Sequence, residues 1–461
     1  MDFIQYRHSN LTAAFSHRGA VETSHTSANS LTIRSPCNLV SATSQQSPTT
    51  SECPDSEKNP KNCWAFPIEM ADFQLHEGRH FLQIPGPTNL PDRVLRAMHR
   101  PTIDHRGPEF ATLTHSVLSR LERVFGSSGP VVIFPSSGTG AWEAALVNTM
   151  SNGDRLLMYE TGQFAHLWRG VADRLGIDVE WIEGDWRHGV DANAIATRLS
   201  EDKERRVRAV AIVHNETSTG VTSDIERVRA AIDNAGHQAL LIVDTISSLA
   251  SIDYRHDEWG VDVTVGGSQK GLMLPPGLGF NALSEKALQA SKSADLPRSY
   301  WDWSAVIEAN GAGFFPYTPA TNLLFGLDEA LDMLFEEGLE AVFLRHARMA
   351  RAARAALSAW GLENFAVLPS EYSNSLTAAL MPKGYDADEL REAILTRFDM
   401  SLGTGLGKVK GKVFRIGHLG HLNDLMLTGT LCGVEMGMNL AGIPHRAGGV
   451  DAAMRVLEET R

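Results

Sequence analysis

Residues 131–140 read Val131-Val132-Ile133-Phe134-Pro135-Ser136-Ser137-Gly138-Thr139-Gly140, a short apolar run that ends in small hydroxyl and glycine residues. Residues 141–150 continue with apolar side chains at helical spacing, and a second apolar run follows at residues 155–159. Short apolar runs that alternate with helical segments are typical of buried strands joined by helices. The stretch therefore predicts a β-α-β unit and, with it, an α/β fold.

The same alternation continues along the chain. It predicts further strands at residues 179–182, 209–213, 240–243 and 261–265, and helices such as 167–175 and 224–235. Such uninterrupted apolar strands indicate a mostly parallel sheet with helices on both faces. From about residue 327 the pattern changes to long helices, 327–337 and 339–360, followed by strands at 366–368, 376–381 and 412–416. We expect a large α/β domain over residues 79–326 and a smaller α+β domain over residues 327–461.

Composition restricts the class of function. Of the 461 residues 43% are apolar and 21% are charged, which is enough for a sizeable core and excludes global disorder. The formal net charge is -13, which argues against nucleic acid or an anionic membrane as a partner. No apolar run approaches the roughly 18 residues of a membrane-spanning helix. Small-molecule chemistry is therefore the default interpretation.

The first 69 residues differ from the rest. They are rich in Ser and Thr, have no sustained apolar period, and contain Cys37, Cys53 and Cys63, so that Cys432 is the one cysteine that follows. This composition predicts a disordered N-terminal extension. It is either a targeting leader or a stretch upstream of the functional start at Met70, which we favour. With no disulfide framework and no peroxisomal signal at the C-terminus, we expect a cytoplasmic enzyme without a metal site.

The turn between the first strand and helix is a candidate anion site. Ser137, Gly138 and Thr139 would let backbone N–H groups and hydroxyls approach a phosphate at a helix N-terminus. Two other interpretations stay open: a plain helix N-cap, and a dinucleotide-binding fingerprint in which Glu160 ends the next strand. Glu143 occupies the third glycine position of that fingerprint, which weakens the nicotinamide interpretation.

Two charged residues end neighbouring strands. Asp244 follows an apolar strand, where it either caps the next turn or holds a cation or a protonated ring nitrogen. Lys270 follows a strand and small residues, where partial desolvation would make it a nucleophile, although a lone loop lysine is usually only solvated. An anion turn, an acid and a lysine at one sheet edge suit the phosphate, ring nitrogen and aldehyde of pyridoxal 5′-phosphate.

Six segments carry a resemblance to a known family. They are residues 84–89, residues 134–143, His214-Asn215-Glu216-Thr217-Ser218-Thr219-Gly220-Val221, Gly267-Ser268-Gln269-Lys270-Gly271, Phe315-Pro316-Tyr317-Thr318-Pro319 and Lys412-Val413-Phe414-Arg415-Ile416-Gly417-His418. In this order they resemble the class V aminotransferases of fold type I, within them the serine–glyoxylate and alanine–glyoxylate group. The resemblance covers residues 79–461 and implies a mostly parallel, seven-stranded-type sheet in the large domain.

The resemblance also implies roles for single residues. Lys270 would form the aldimine with pyridoxal phosphate, and Asp244 would pair with its ring nitrogen. Thr217 would lie near the ring oxygen and Phe164 would stack on the ring face. The residues implied at the phosphate are Ser137, Gly138, Thr139 and Gln269. Arg415 would bind the substrate carboxylate, while Thr318 and Phe315 would reach the site from the neighbouring subunit. Ordinary core packing is the alternative for Phe164, and an exposed edge strand is the alternative for Arg415.

The activity so implied is transamination of glyoxylate to glycine by a homodimer, with L-serine as donor and hydroxypyruvate as product. L-Aspartate and L-alanine are the alternative donors. Two different classes are also considered, a cysteine desulfurase-like lyase and an NAD-dependent dehydrogenase. The desulfurase is disfavoured because Cys432 lies in a helical stretch and leaves no loop nucleophile.

Overall fold

The computed structural model describes residues 78–459, which lie within one compact unit, Gln74–Arg461. The predictions for residues 1–69 fall outside the described residues. The strands are β1 (Phe81–Gln83), β2 (Val131–Ser136), β3 (Arg155–Tyr159), β4 (Asp178–Ile182), β5 (Val207–Val213), β6 (Asn215–Glu216), β7 (Val221–Thr222), β8 (Leu240–Asp244), β9 (Val263–Gly267), β10 (Gly277–Leu283), β11 (Glu363–Asn364), β12 (Leu376–Leu380), β13 (Met400–Thr404) and β14 (Val413–Gly417).

The helices of the same residues cover and connect these strands. They are α1 (Asp92–Met98), α2 (Pro108–Phe125), α3 (Gly138–Thr149), α4 (Gln163–Arg174), α5 (Ala192–Glu201), α6 (Ile225–Asn234), α7 (Glu285–Ser291), α8 (Trp303–Gly311), α9 (Thr321–Glu337), α10 (Leu339–Trp360), α11 (Ala387–Phe398), α12 (Asp424–Leu440) and α13 (Gly449–Glu459). In residues 78–459 no helix is long and apolar enough to cross a bilayer.

A seven-stranded sheet forms the centre, in the order β2-β10-β9-β8-β5-β3-β4. The five strands from β9 to β4 are parallel to their neighbours, and β10 alone runs antiparallel, to both β2 and β9. The predicted mostly parallel α/β sheet is therefore confirmed. Since β8 and β9 are adjacent and parallel, the residues that follow them meet at one edge of the sheet.

Residue alternation explains why the strands are apolar throughout. In β2, Val132 and Phe134 join the core cluster that contains α3, whereas Val131 and Ile133 join the cluster that contains α2. Successive strand residues point to opposite faces, and here each face is covered by helices. All four side chains are at most 2% exposed.

A second, five-stranded sheet has the order β1-β13-β14-β12-β11, with β1 parallel to β13 and the other pairs antiparallel. Strand β1, close to the start of the described chain, thus completes a sheet whose other strands follow residue 360. The domain limits at residues 326 and 327 stay a prediction.

Two strand predictions need correction. Residues 366–368 are not a strand: Val367 and Leu368 are about two-fifths exposed, at 41% and 43%, and the backbone N–H of Val367 is donated to the carbonyl of Arg187. The following Pro369 also begins a 3-10 turn, which ends the extended chain. The strand predicted at 261–265 lies two residues later, as β9, because Gly266 and Gly267 continue the pairing with Phe280 and Gly279 of β10.

Candidate active site

Lys270 follows β9 and lies in the interior, with 7% of its surface exposed. Its Nζ donates a hydrogen bond to the carbonyl of Pro85. Burial, assisted by the positive charge of Arg415, lowers the pKa of the Lys270 amine to about 7. A fraction of the amine is then neutral near neutral pH, as a nucleophile or proton acceptor requires.

Gly86 makes room for this lysine. A Cβ at residue 86 would lie 2.4 Å from Cδ and 2.8 Å from Nζ of Lys270, and its φ is +84°. Glycine is therefore needed for both the backbone conformation and the close approach of the chain to Lys270.

Asp244 ends β8 and is 4% exposed. Its Oδ1 accepts a hydrogen bond of 2.7 Å from the backbone N–H of Ile246, and its Oδ2 accepts one of 3.1 Å from Nε1 of Trp142. Burial raises the pKa of Asp244 to about 7, which the charge on Lys270 opposes. The carboxyl group therefore caps its turn and also lies beside the buried lysine.

Trp142 is a site residue that the sequence reasoning missed. It lies in α3, is 2% exposed, and stacks on Trp168 with ring centroids 5.8 Å apart. The signal in the sequence was its place one helical turn after the small residues of the anion turn. Its partner Asp244 lies 102 residues away in the sequence, so local pattern could not reveal the contact.

The anion turn, Ser137-Gly138-Thr139, contains hydrogen-bond donors that make no hydrogen bond with a described residue. Ser137 occupies the N-cap position of α3, but its side chain makes no capping hydrogen bond, which argues against the plain cap. Ser137 and Thr139 are exposed, and neither hydroxyl has a hydrogen-bond partner within residues 78–459. At Gly138 a Cβ would lie 2.2 Å from Cδ1 of Ile246. The turn thus presents hydroxyls and a helix N-terminus to the edge of the sheet.

Gln269 provides an independent sign of a ligand. Its Oε1 is buried and has no hydrogen-bond partner among the described residues. Buried polar atoms are normally paired, so this acceptor indicates a hydrogen-bond donor at the site, while Nε2 of the same amide, which makes no hydrogen bond with a described residue, can donate to an anion. The residues present therefore fit a phosphorylated pyridine aldehyde.

Glu216, which the sequence analysis also missed, positions the start of α4. It is fully buried, and burial raises its pKa. Its carboxylate accepts hydrogen bonds from the backbone N–H of Phe164 at 3.2 Å and Ala165 at 3.2 Å, and from Oγ of Ser218 at 2.6 Å. It thereby holds the first turn of α4, where Phe164 is partly buried and packs on the core cluster of α3.

Arg415 lies in β14, between β13 and β12, so the alternative of an edge strand is wrong. The residue is 6% exposed, and burial lowers the pKa of its guanidinium to about 10. Nε donates to the carbonyl of Thr404 at 2.8 Å, and Nη1 to that of Thr217 at 2.6 Å. Nη2 has no hydrogen-bond partner in the described chain, which leaves it for an incoming acceptor.

Thr318 and Phe315 lie in the connection between α8 and α9. Thr318 is exposed and makes no hydrogen bond with a described residue. Phe315 is partly buried against Phe110, with ring centroids 6.1 Å apart. Their roles stay a prediction.

The two different-class interpretations meet physical obstacles. Glu160, which a dinucleotide site would need for a ribose, is 2% exposed and bonded to Trp186, His166 and Lys408. Cys432 lies in α12, and burial raises the pKa of its thiol, the opposite of what a nucleophilic cysteine needs.

Known proteins resemble this chain over most of its length. The family model "Aminotransferase class-V" matches residues 80–406. The serine–glyoxylate aminotransferase of Methylorubrum extorquens is 49% identical over 389 residues, which cover 83% of this chain and 97% of that protein. The L-aspartate–glyoxylate aminotransferase of Paracoccus denitrificans is 46% identical over 379 residues, covering 82% and 96%.

A solved structure is similar as well. The ureidoglycine–glyoxylate aminotransferase of Bacillus subtilis superposes with a TM-score of 0.77 at 26% identity, covering 84% of this chain and all of that one. The names of these three proteins share glyoxylate and differ in the amino donor.

Proposed function

The chain belongs to the class-V aminotransferase family, and from that membership we propose that it transfers an amino group from L-serine to glyoxylate, giving hydroxypyruvate and glycine. The observation that carries the proposal is Lys270, buried at the sheet edge where Asp244 ends the adjacent parallel strand, with its amine bonded to the carbonyl of Pro85 and its pKa lowered to about 7 by burial and by the charge of Arg415. Glyoxylate as acceptor is supported by its place in the names of the three relatives. Serine is supported by the relative of 49% identity, and aspartate, at 46%, is the alternative donor ahead of alanine.

The family implies pyridoxal 5′-phosphate as the cofactor. When bound, this group supplies an electron sink for the pair left at the substrate carbon that loses its α-proton. Lys270 would hold its aldehyde carbon, Asp244 its ring nitrogen, Phe164 its ring face and Thr217 its ring oxygen. The phosphate would lie at Ser137, Gly138, Thr139 and Gln269. The phosphate position is supported by the hydroxyls of Ser137 and Thr139 and by Nε2 of Gln269, donors that make no hydrogen bond with a described residue.

The protein groups then have separate tasks. Arg415 would bind the carboxylate of each substrate in turn, because a buried guanidinium with a free Nη2 suits that anion. The Lys270 amine, partly neutral near pH 7, would accept the α-proton and return it as general base and acid. Asp244, bonded to Trp142 and Ile246, would keep a cationic ring nitrogen protonated.

We also propose a cytoplasmic homodimer. Thr318 would then reach the phosphate, and Phe315 the substrate, from the neighbouring subunit, which accords with the exposure of Thr318 in the single chain. The scarcity of cysteine after residue 63 suits a reducing compartment.

One assay tests the proposal. Full-length protein with added pyridoxal phosphate is given glyoxylate and either L-serine, L-aspartate or L-alanine, and glycine formation is followed. We expect serine to give the highest kcat/KM. A higher value for aspartate would overturn the donor but not the chemistry, while no glycine from any donor would overturn both.

A further inference from the structure

One buried carboxylate has no task in the proposed reaction. Glu160 follows β3 and is 2% exposed. It accepts hydrogen bonds from Nε2 of His166 at 2.8 Å, from Nε1 of Trp186 at 2.8 Å and from Nζ of Lys408. Burial alone would raise its pKa, but these donors outweigh burial and lower it to about 2. Glu160 is therefore a fixed negative charge inside the protein.

Trp186 adds backbone strain to the same place. Its φ is +68°, a left-handed conformation that a bulky residue rarely adopts and that other contacts must enforce. The indole is 2% exposed and belongs to a core cluster with Phe365, Val409 and Val413, which flank or form the second sheet. A residue that follows β4 of the first sheet is thus inserted between side chains of the second.

The turn that carries Lys408 fits closely against this indole. Nζ of Lys408 lies 5.2 Å from the centre of the Trp186 ring, a cation–π distance. At Gly407, whose φ is +53°, a Cβ would lie 3.0 Å from Cη2 of Trp186 and 2.0 Å from Oε1 of Gln163. The turn Gly407–Val409 therefore packs against the start of α4, with Lys408 bridging to Glu160.

The two connected segments hold two residues of the proposed site. His166, bonded to Glu160, and Phe164 share the first turn of α4. On the other side, the Lys408 turn connects β13 to β14, and the carbonyl of Thr404 in β13 accepts the hydrogen bond from Nε of Arg415. A displacement of the turn would move the acceptor that orients Arg415.

We propose that Glu160, Trp186 and Lys408, together called the tether, are positioning residues. They fix the position of α4, which carries Phe164, relative to β14, which carries Arg415. The role rests on the proposed function, because it gives the tether its effect on catalysis: Arg415 binds the carboxylate of both substrates. Loss of the tether therefore weakens binding of the amino donor and of the oxo acid together. A contact that served stability alone would leave both KM values unchanged.

Lys408→Met tests the tether kinetically. The Lys408 side chain is 60% exposed, so its replacement leaves the core intact. We expect KM for glyoxylate and for the amino donor to rise together by about three- to tenfold, with kcat changed by less than about twofold. Lys408→Arg should restore KM, since a guanidinium also bonds to Glu160. Lys410→Met is the matched control, because Lys410 is exposed and its amine has no hydrogen-bond or ion-pair partner among the described residues.

A second measurement needs no activity. Amide hydrogen exchange is recorded on the full-length protein without added cofactor, for the wild type, Lys408→Met and Lys410→Met. The tether predicts that Lys408→Met, and not the control, speeds exchange both in residues 163–168 and in residues 400–409. Faster exchange in residues 400–409 alone, or unchanged KM values in an active Lys408→Met enzyme, would overturn it. A wild type inactive with every donor would instead overturn the proposed function, and the exchange result would still decide the physical coupling.

Discussion

Nε1 of Trp142 donates a hydrogen bond of 3.1 Å to Oδ2 of Asp244, and both residues are at most 4% exposed. Burial raises the pKa of Asp244 to about 7, and the indole opposes that effect because its N–H stabilises the ionised carboxylate. The indole of Trp142 is held in place by Trp168, which stacks on it with an angle of 13° between the ring planes. The charge of the proposed ring-nitrogen partner thus depends on an aromatic pair in the helices that cover the sheet.

Trp142→Phe should therefore weaken the site while keeping its packing. Loss of the donor raises the pKa of Asp244 further, so that less of it is ionised at neutral pH. Losing one hydrogen bond to a buried carboxylate costs about 1–3 kcal/mol, so we expect about tenfold weaker binding of pyridoxal phosphate by fluorescence titration. Trp168→Phe is the control, because Nε1 of Trp168 makes no hydrogen bond with any residue from 78 to 459. Equal losses in both variants would contradict the role of the Trp142 donor.

The lowered pKa of Lys270 predicts a pH dependence for cofactor attachment. A lysine with a depressed pKa is protonated below that pKa and neutral above it, and only the neutral amine attacks an aldehyde. Attachment, trapped with borohydride and read at the peptide that contains Lys270, should rise from pH 5.5 and level off above a midpoint near pH 7. Arg415→Met removes a positive charge that lowers this pKa, so its midpoint should shift to higher pH. A wild-type midpoint near 10, or trapping at another residue, would contradict the assignment.

Much of this organisation could be predicted from the sequence, since each strand end carries its own pattern. Asp244 and Lys270 follow apolar runs that are buried on both faces, and strand adjacency then brings them together. Strand β10 was not predicted because Gly277 and Gly279 weaken the sequence pattern of a strand. Gly279 nevertheless has a structural reason, since a Cβ there would lie 2.8 Å from the carbonyl oxygen of Ser137. Close approach of α3 requires this glycine, which is a tertiary constraint.

Contacts between distant segments set the limit of sequence reasoning. Strand β1 pairs with β13, whose residues lie more than 300 positions further along the chain, and no local pattern specifies that partner. Glu216 is similarly hidden: it follows an apolar strand just as Asp244 does, but its partners are backbone N–H groups at the start of α4.

Two buried histidines predict a loss of stability in acid. Burial lowers the pKa of His346 and of His418 to about 3, against an ordinary value of 6.5. The sign follows from the unfolded chain, which binds protons below pH 6.5 while the folded protein does not. Stability is therefore fully present above pH 6.5 and is lost as the pH falls toward 3, by about 1.4 kcal/mol per pH unit for each histidine.

Urea unfolding at pH 7.5, 6.0 and 5.0 measures this slope. His346→Gln is the informative variant, because Nε2 of His346 accepts from the backbone N–H of Gly420 and Nδ1 donates to the carbonyl of Val342. A glutamine amide offers the same two kinds of hydrogen bond without titrating. The number of protons taken up on unfolding, which sets the slope of the free energy of unfolding against pH, should therefore decrease by one. An unchanged slope would show that the histidine does not contribute.

Gly86→Ala tests the close approach that encloses Lys270. The new methyl group would lie 2.4 Å from Cδ of the lysine, which is the middle of a buried side chain and not a free end, so either the lysine or the turn must move. Alanine at a φ of +84° also strains the backbone by about 1 kcal/mol. Gly153→Ala separates the two effects, because Gly153 has a φ of +83° and, in the described part of the chain, no atom within 4 Å of an added Cβ. Gly86→Ala should lose more stability than Gly153→Ala in thermal unfolding, because it adds the clash with Lys270 to the same backbone strain, and it alone should slow borohydride-trapped cofactor attachment, by about tenfold or more. Attachment at the wild-type rate in Gly86→Ala would mean that the amine reaches the cofactor from a position that the turn at residue 86 does not constrain.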